Sequence, residues 1–441
     1  MRTKYLRASL VTVLALVCSY LGHGQQIVIT PDKSNGVYQV GETVHWQVEW
    51  RGGTNTPRAR YQFLRDGMTD VGQGILDFSN HGAFLETRFD APGAMLVEVQ
   101  TDGANRGRGG RGGRAFGGAV AAPDRIGRSA PPPADFDQFW KARLAELKKV
   151  PANPKLEFVD IGKTNIAYWK ITMDNIRGTH IQGQLARPAQ GKKFPALLIL
   201  QWAGVYPLQK DYVTGYAADG WLVLNIQAHD LPIDKPAAFY REQENGPLKE
   251  YWSIGNDGRE TSYFLRMYLS CYRAAEYLSQ RRDWNGKTFV VMGISQGGQQ
   301  TLVTAGLHPQ KITAAVAMVP AGCDMLGPDA GRKGGWPQWY SNTAGGKDTN
   351  KVHQASRYFD AVNFTPRIKC PVLVGLGLID EACPPAGVLA AVNQIASPKE
   401  VVILPKSAHV PTGDSQAAFN HRRDDVWLPA LLQGKPAPVR P

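Results

Sequence analysis

Ser295 is the residue of this chain whose neighbours best suit it to act as a nucleophile. It lies in the run KTFVVMGISQGG (residues 287–298), where Gly293, Ser295 and Gly297 fit G-x-S-x-G, the sharp turn that lifts a serine off the end of a strand. Both glycines have a steric reason: the serine is held in a strained conformation, and a Cβ two positions away on either side would crowd the adjoining strand and helix. The pattern alone is common by chance. Its context is more selective, because the apolar run TFVVM precedes it as a buried strand would and QQTLVTAGL follows with good helix formers.

A serine hydroxyl needs a base to take its proton. With this kind of turn the chain order is Ser, then Asp or Glu, then His. Of nine histidines, only His409 and His421 follow a suitable acid downstream of Ser295. His409, in KSAHVPTG, comes just after the apolar run VVIL, where a strand end would present it. His421, beside Arg422 and Arg423, reads as part of a solvated helical face. The acid is Asp380, which ends the strand-like run PVLVGLGLI, with Glu381 as fallback. A lone histidine is most often a surface or packing residue and a lone aspartate most often caps a turn. Three such residues in order, each just past a separate buried strand, form a candidate triad.

The elements that must position them read as strands alternating with helices: PALLILQW, WLVLNIQ, KTFVVMG, ITAAVAMVP, PVLVGLGLI and EVVILP are nearly continuous apolar runs. Such runs suit an α/β, doubly wound, mostly parallel sheet covered on both faces. An oxyanion site beside the turn would use the amide of Gln296 and one from the loop after PALLILQW, where Gly204 is the candidate. A Gly/Trp-rich insertion between Cys323 and Tyr358 carries Trp336, Trp339 and Tyr340, which suit either stacking on a sugar ring or packing.

Upstream, residues 25–128 show short alternating runs (QIVIT, VYQV, TVHWQVEW, RYQFL, FLETRF, AMLVEVQ and GGAVAAP) separated by turn residues. They predict an antiparallel, immunoglobulin-like β-sandwich, with the tract NRGRGGRGGR as a loop between its last two strands. Pro131, Pro132 and Pro133 make residues 129–134 a stiff linker. Residues 135–436 form the catalytic unit, opened by an amphipathic helix with apolar stripe Phe136, Phe139, Trp140, Leu144 and Leu147. With every candidate site residue beyond the linker, the sandwich is expected to be an accessory.

Residues 1–24 combine basic Arg2, Lys4 and Arg7, an apolar centre and small residues before Gln25, the parts of a cleavable signal peptide. Export to the periplasm or beyond is expected, and no segment approaches the roughly 20 apolar residues of a membrane span. The net charge of +12 does not point to nucleic acid. Three charges belong to the signal and four to the Arg/Gly tract, leaving five dispersed over the rest. Cys271, Cys323, Cys370 and Cys383 fit no zinc spacing and suit buried thiols.

Four segments carry a resemblance: PADFDQFWKARLAEL (133–147), GISQGG at the turn, VPAGCD (319–324) and YFDAVNFTPRIKCPVLVGLGLIDEACPP (358–385). By these the chain resembles the acetyl xylan esterase and cephalosporin C deacetylase family, carbohydrate esterase family seven, of α/β-hydrolases. The resemblance covers about two-thirds of the chain. It implies Ser295 as nucleophile, Asp380 as acid and His409 as base, no cofactor, an acetylated carbohydrate substrate and a ring-like homo-oligomer that the added N-terminal unit would be able to block. Two positions depart from the family pattern. Gln227, Ala228, His229 and Asp230 stand where R-G-Q is usual, and Val410 follows His409 where Glu is usual. His229 and Asp230 either replace that support by hydrogen bonding or cap a turn.

The expectation is a serine esterase that removes acetyl groups from sugar hydroxyls through an acyl-enzyme. A serine peptidase and a lipase or dienelactone hydrolase use the same triad. A non-catalytic polysaccharide-binding protein is the reading from a different class.

Overall fold

The computed structural model describes residues 27–51, 58–78, 82–101, 113–341 and 346–440. The N-terminal region, the Arg/Gly tract and the expected signal peptide therefore divide differently: strands around the tract are described, whereas the signal and residues 102–112 lie outside.

The first eight strands are β1 (Ile27–Pro31), β2 (Val37–Tyr38), β3 (Thr43–Trp50), β4 (Arg58–Arg65), β5 (Thr69–Asp77), β6 (Gly82–Arg88), β7 (Gly93–Thr101) and β8 (Arg114–Ala121). They form a three-stranded sheet, β1-β3-β6, and a five-stranded sheet, β2-β8-β7-β4-β5. Alternation in β3 sends Val44, Trp46 and Val48 into a core shared with Phe63, Val97 and Ala119 of the other sheet. Strand β5 is absent from the sequence expectation because Gly72 and Gly74 read as turn residues. In the structure the Tyr61 ring lies on Gly74, where an added Cβ would approach to 2.7 Å.

The second unit has nine strands: β9 (Lys155–Phe158), β10 (Ile166–Asp174), β11 (His180–Pro188), β12 (Phe194–Leu200), β13 (Leu222–Ile226), β14 (Trp284–Ile294), β15 (Ala314–Met318), β16 (Val372–Gly377) and β17 (Lys399–Leu404). Their order is β17-β16-β15-β14-β12-β13-β11-β10-β9. The six strands from β12 onward pair in parallel and coincide with the six expected apolar runs, while β9 to β11 add an antiparallel edge. Strands β13, β15 and β16 are buried at every position, as two covered faces require. The helices Tyr263–Gln280 and Gln296–Leu307 lie against the middle of the sheet.

The N-terminal sheets do not stand apart from this unit. Val120 of β8 and Ile126 belong to the same apolar core as Leu378, Val388 and Leu389. Asn393 donates to the carbonyls of Pro123 and Ile126, Lys333 donates its amide to the Asp66 carbonyl, and Ser129 binds the Asp324 carboxylate through both its amide and its hydroxyl. These contacts run against the expectation of a detachable accessory. The sequence could not show them, because they depend on which face of β8 meets the sheet beyond the linker.

Candidate active site

Ser295 links β14 to the helix Gln296–Leu307 with φ 57° and ψ −121°, a left-handed φ that costs a non-glycine residue about 1–3 kcal/mol. The turn is held because Ser295 donates its amide to Met318 (2.9 Å) while its carbonyl accepts from Gln299 and Ala321, each at 3.0 Å. The glycines are required sterically. A Cβ on Gly293 would fall 2.4 Å from the Gly297 carbonyl, and one on Gly297 would fall 2.3 Å from the Leu200 carbonyl oxygen.

Asp380 follows β16 and His409 follows β17, so neighbouring parallel strands deliver both to the same sheet edge as Ser295. His409 Nδ1 lies 2.9 Å from Asp380 Oδ2, and Nε2 lies 2.9 Å from Ser295 Oγ. A carboxylate oxygen accepts, so Nδ1 carries the proton and Nε2 presents its lone pair to the serine hydroxyl. Asp380 is 3% exposed, and its other oxygen accepts the amides of Ala382 (2.9 Å) and Cys383 (2.8 Å). Cys383 also offers its sulfur within 4.8 Å of the Asp380 and His409 donor atoms. Both carboxylate oxygens are already committed to hydrogen bonds, however, and burial, with the Asp380 charge adding, pushes the Cys383 thiol well above its ordinary range. Cys271, Cys323, Cys370 and Cys383 are all buried and unpaired.

Glu381, the fallback acid, faces Lys333 at 3.5 Å, and His421 pairs with Asp425 on the exposed surface. Neither touches Ser295 or His409 among the described hydrogen bonds.

Gln296 is the first residue of its helix, so its amide, next to Ser295, has no intrahelical acceptor. Gly204 is the residue expected to give the second amide. Its N–H is directed to the Tyr251 hydroxyl at 3.3 Å, whereas the next amide, that of buried Val205, has no hydrogen-bond partner among the described residues. Tyr251, which contacts Gly204 and Gln296, lay in no motif (KEYWSIG) and was missed.

The aromatic candidates separate. Trp339 is 1% exposed, donates its indole N–H to the Trp252 carbonyl and packs on Phe264 and Phe359, so it has no face to offer a sugar. Tyr340 stacks on His353 and donates to Asp329. Trp336 remains half-buried, its amide donating to the Ala382 carbonyl (2.7 Å) in the loop after Asp380. Of the two readings offered for His229 and Asp230, the observed contacts are hydrogen bonds to other elements: Asp230 accepts from the His180 amide and the Gln182 side chain of β11, and His229 bonds across to the Gly204 carbonyl.

The acetyl xylan esterase (AXE1) family model matches residues 126–423. The acetyl esterase Axe7A of Xylanibacter ruminicola is 31% identical over 396 residues, covering 87% of each chain. The fold is similar to that of acetyl xylan esterase 1 from Thermoanaerobacterium sp. JW/SL YS485, with TM-score 0.58 and 22% identity over 71% of this chain and 97% of that one. An acetyl xylan esterase from Paenibacillus sp. R4 matches with the same TM-score and identity over 67% of this chain and 96% of that one. On these matches the chain has an α/β-hydrolase-like fold and belongs to the acetyl xylan esterase family of carboxylic ester hydrolases.

Proposed function

We propose that this protein removes acetyl groups from sugar hydroxyls, as on acetylated xylo-oligosaccharides, by a serine acyl-enzyme route. The observation that carries this reading is the chain of two 2.9 Å hydrogen bonds joining Ser295, His409 and Asp380. His409 Nε2 takes the Ser295 proton as Oγ attacks the ester carbonyl, and the C=O electron pair moves onto oxygen. The oxyanion is met by the amides of Gln296 and Val205. Its collapse breaks the bond to the sugar oxygen, which leaves with the proton from His409. Water then loses a proton to His409, attacks the acyl carbon and releases acetate with Ser295 restored. Asp380 holds the imidazole tautomer and stabilises its charged form. No organic cofactor or metal enters these steps.

Trp336, at the edge of the site, is the aromatic proposed to contact a sugar ring. The basic, apolar and small-residue sequence of the first 24 residues supports export, and the two N-terminal sheets with their shared core support an immunoglobulin-like sandwich. A turnover panel of p-nitrophenyl esters of rising acyl length, beside acetylated xylo-oligosaccharides, tests the reading. Fast release from acetyl substrates, falling with chain length and absent in Ser295→Ala, is expected; preference for long acyl chains or for peptides would contradict it.

A further inference from the structure

The loop carrying Gly204 and the first turn of the helix Gln296–Leu307 flank Ser295, and a directed series of hydrogen bonds outside the triad ties one to the other. Arg266 donates to the Ala228 carbonyl (2.7 Å) and to the Tyr263 hydroxyl (2.8 Å). The Tyr263 hydroxyl lies 2.7 Å from His229 Nδ1, and His229 Nε2 lies 3.0 Å from the Gly204 carbonyl oxygen. A carbonyl only accepts, so Nε2 carries the proton and Nδ1 accepts from Tyr263. On the other side of the same residue, the Gly204 amide donates to the Tyr251 hydroxyl (3.3 Å), whose own proton goes to Gln296 Oε1 (2.5 Å). His229 and Tyr251 are each 1% exposed and meet edge to face, with ring centroids 4.5 Å apart.

The geometry has a consequence for catalysis. The Gly204 carbonyl and the Val205 N–H belong to one planar peptide and point in opposite directions. Gripping that carbonyl from behind aims the unpartnered N–H forward, and a hydrogen bond at one end of a peptide strengthens the donor at the other. Tyr251 completes the brace by joining the Gly204 amide to the side chain of Gln296, whose own amide is the other donor.

We propose that His229 and Tyr251 are positioning residues of the oxyanion site, holding the Gly204–Val205 peptide at a fixed separation from the Gln296 amide so that both N–H groups meet the developing charge without rearrangement. This rests on the ester-hydrolysis reading above. Burial holds His229 neutral, at about 3 instead of its ordinary 6.5, which preserves the single tautomer that the two bonds require.

The test uses the full chain with His229→Leu, His229→Gln and Tyr251→Phe, assayed on p-nitrophenyl acetate and by the rate of inactivation with a p-nitrophenyl phosphonate, whose phosphoryl oxygen occupies the oxyanion position. His229→Leu and Tyr251→Phe should lower kcat about tenfold to a hundredfold, short of the roughly 10²–10³ lost with a whole donor, with KM within about twofold. Phosphonylation should slow in parallel, and His229→Gln, which returns an N–H toward the Gly204 carbonyl, should recover most of the rate. Folded Leu and Phe variants with kcat within about twofold of wild type, a rise in KM alone, or a Gln variant no better than Leu would overturn the proposal. Should His229→Leu fail to fold, Tyr251→Phe decides, since it removes one hydroxyl. A wild type without ester turnover, or an equally active Ser295→Ala, overturns the underlying reading instead.

Discussion

Gly118 of the N-terminal sheet lies against the backbone of Leu378, two residues before Asp380: a Cβ on Gly118 would fall 2.6 Å from the Leu378 Cβ and carbonyl oxygen. Gly36 closes on the same residue from another strand connection, where an added Cβ would fall 2.7 Å from Leu378 Cδ1. Nearby, Lys333 pairs with Glu381 and donates its amide to Asp66 of the N-terminal unit. The loop bearing the acid is thus packed between the catalytic sheet and the unit before the linker.

Gly118→Ala should therefore cost about 1–3 kcal/mol by overpacking and lower kcat through displacement of Asp380, whereas Gly127→Ala, where an added Cβ meets nothing within 4 Å, should change neither. Thermal melts beside steady-state kinetics check this. A chain beginning at Ser129 should in turn lose activity or aggregate, because Leu378 and its neighbours would be uncovered. A stable, fully active chain of that length would restore the accessory reading.

Asp380→Asn should cut kcat strongly, while Glu381→Gln should leave it within about threefold. The amide cannot hold the charged imidazole or fix its tautomer, an effect worth roughly 10⁴ in kcat where it has been isolated. Glu381 forms an ion pair with Lys333 at 3.5 Å near the surface, so its loss removes a contact of small worth. Kinetics of the two purified variants decide; an inactive Glu381→Gln would move the acid by one residue.

His229 also sets a direction for acid stability. Burial, with the Arg266 charge adding, lowers its proton affinity to about 3, whereas the unfolded chain takes that proton near 6.5. Between those values the unfolded state binds more protons, so stability present above about 6.5 is lost as pH falls toward 3. Melting temperatures from pH 7 to 4 should decline less steeply in His229→Gln than in wild type. Parallel declines would mean that His229 is not buried neutral.

The parts legible in the sequence were those with a strong local pattern. Six parallel strands announced themselves as apolar runs because both faces are covered, and the positions of Ser295, Asp380 and His409 followed from the ends of three of them. Strand β9 did not, since all four of its residues are exposed, and β5 was hidden by Gly72 and Gly74, whose side-chain space is met by Phe63 and Tyr61. Trp339 stayed open between sugar stacking and packing because an aromatic type carries no record of which side faces solvent. The direction of the Gly204–Val205 peptide depends on which way one peptide plane turns, and Tyr251 and His229 meet it and Gln296 through contacts 25 to 47 residues apart in the chain.

The most direct test of the account is to quench the full-length enzyme during turnover of p-nitrophenyl acetate and map acetylation by peptide mass spectrometry. Acetyl on the peptide containing Ser295, absent in Ser295→Ala and formed far more slowly in His409→Ala, is the result the account predicts. Full turnover with no acyl group on Ser295, or turnover that survives Ser295→Ala in a folded protein, would contradict it.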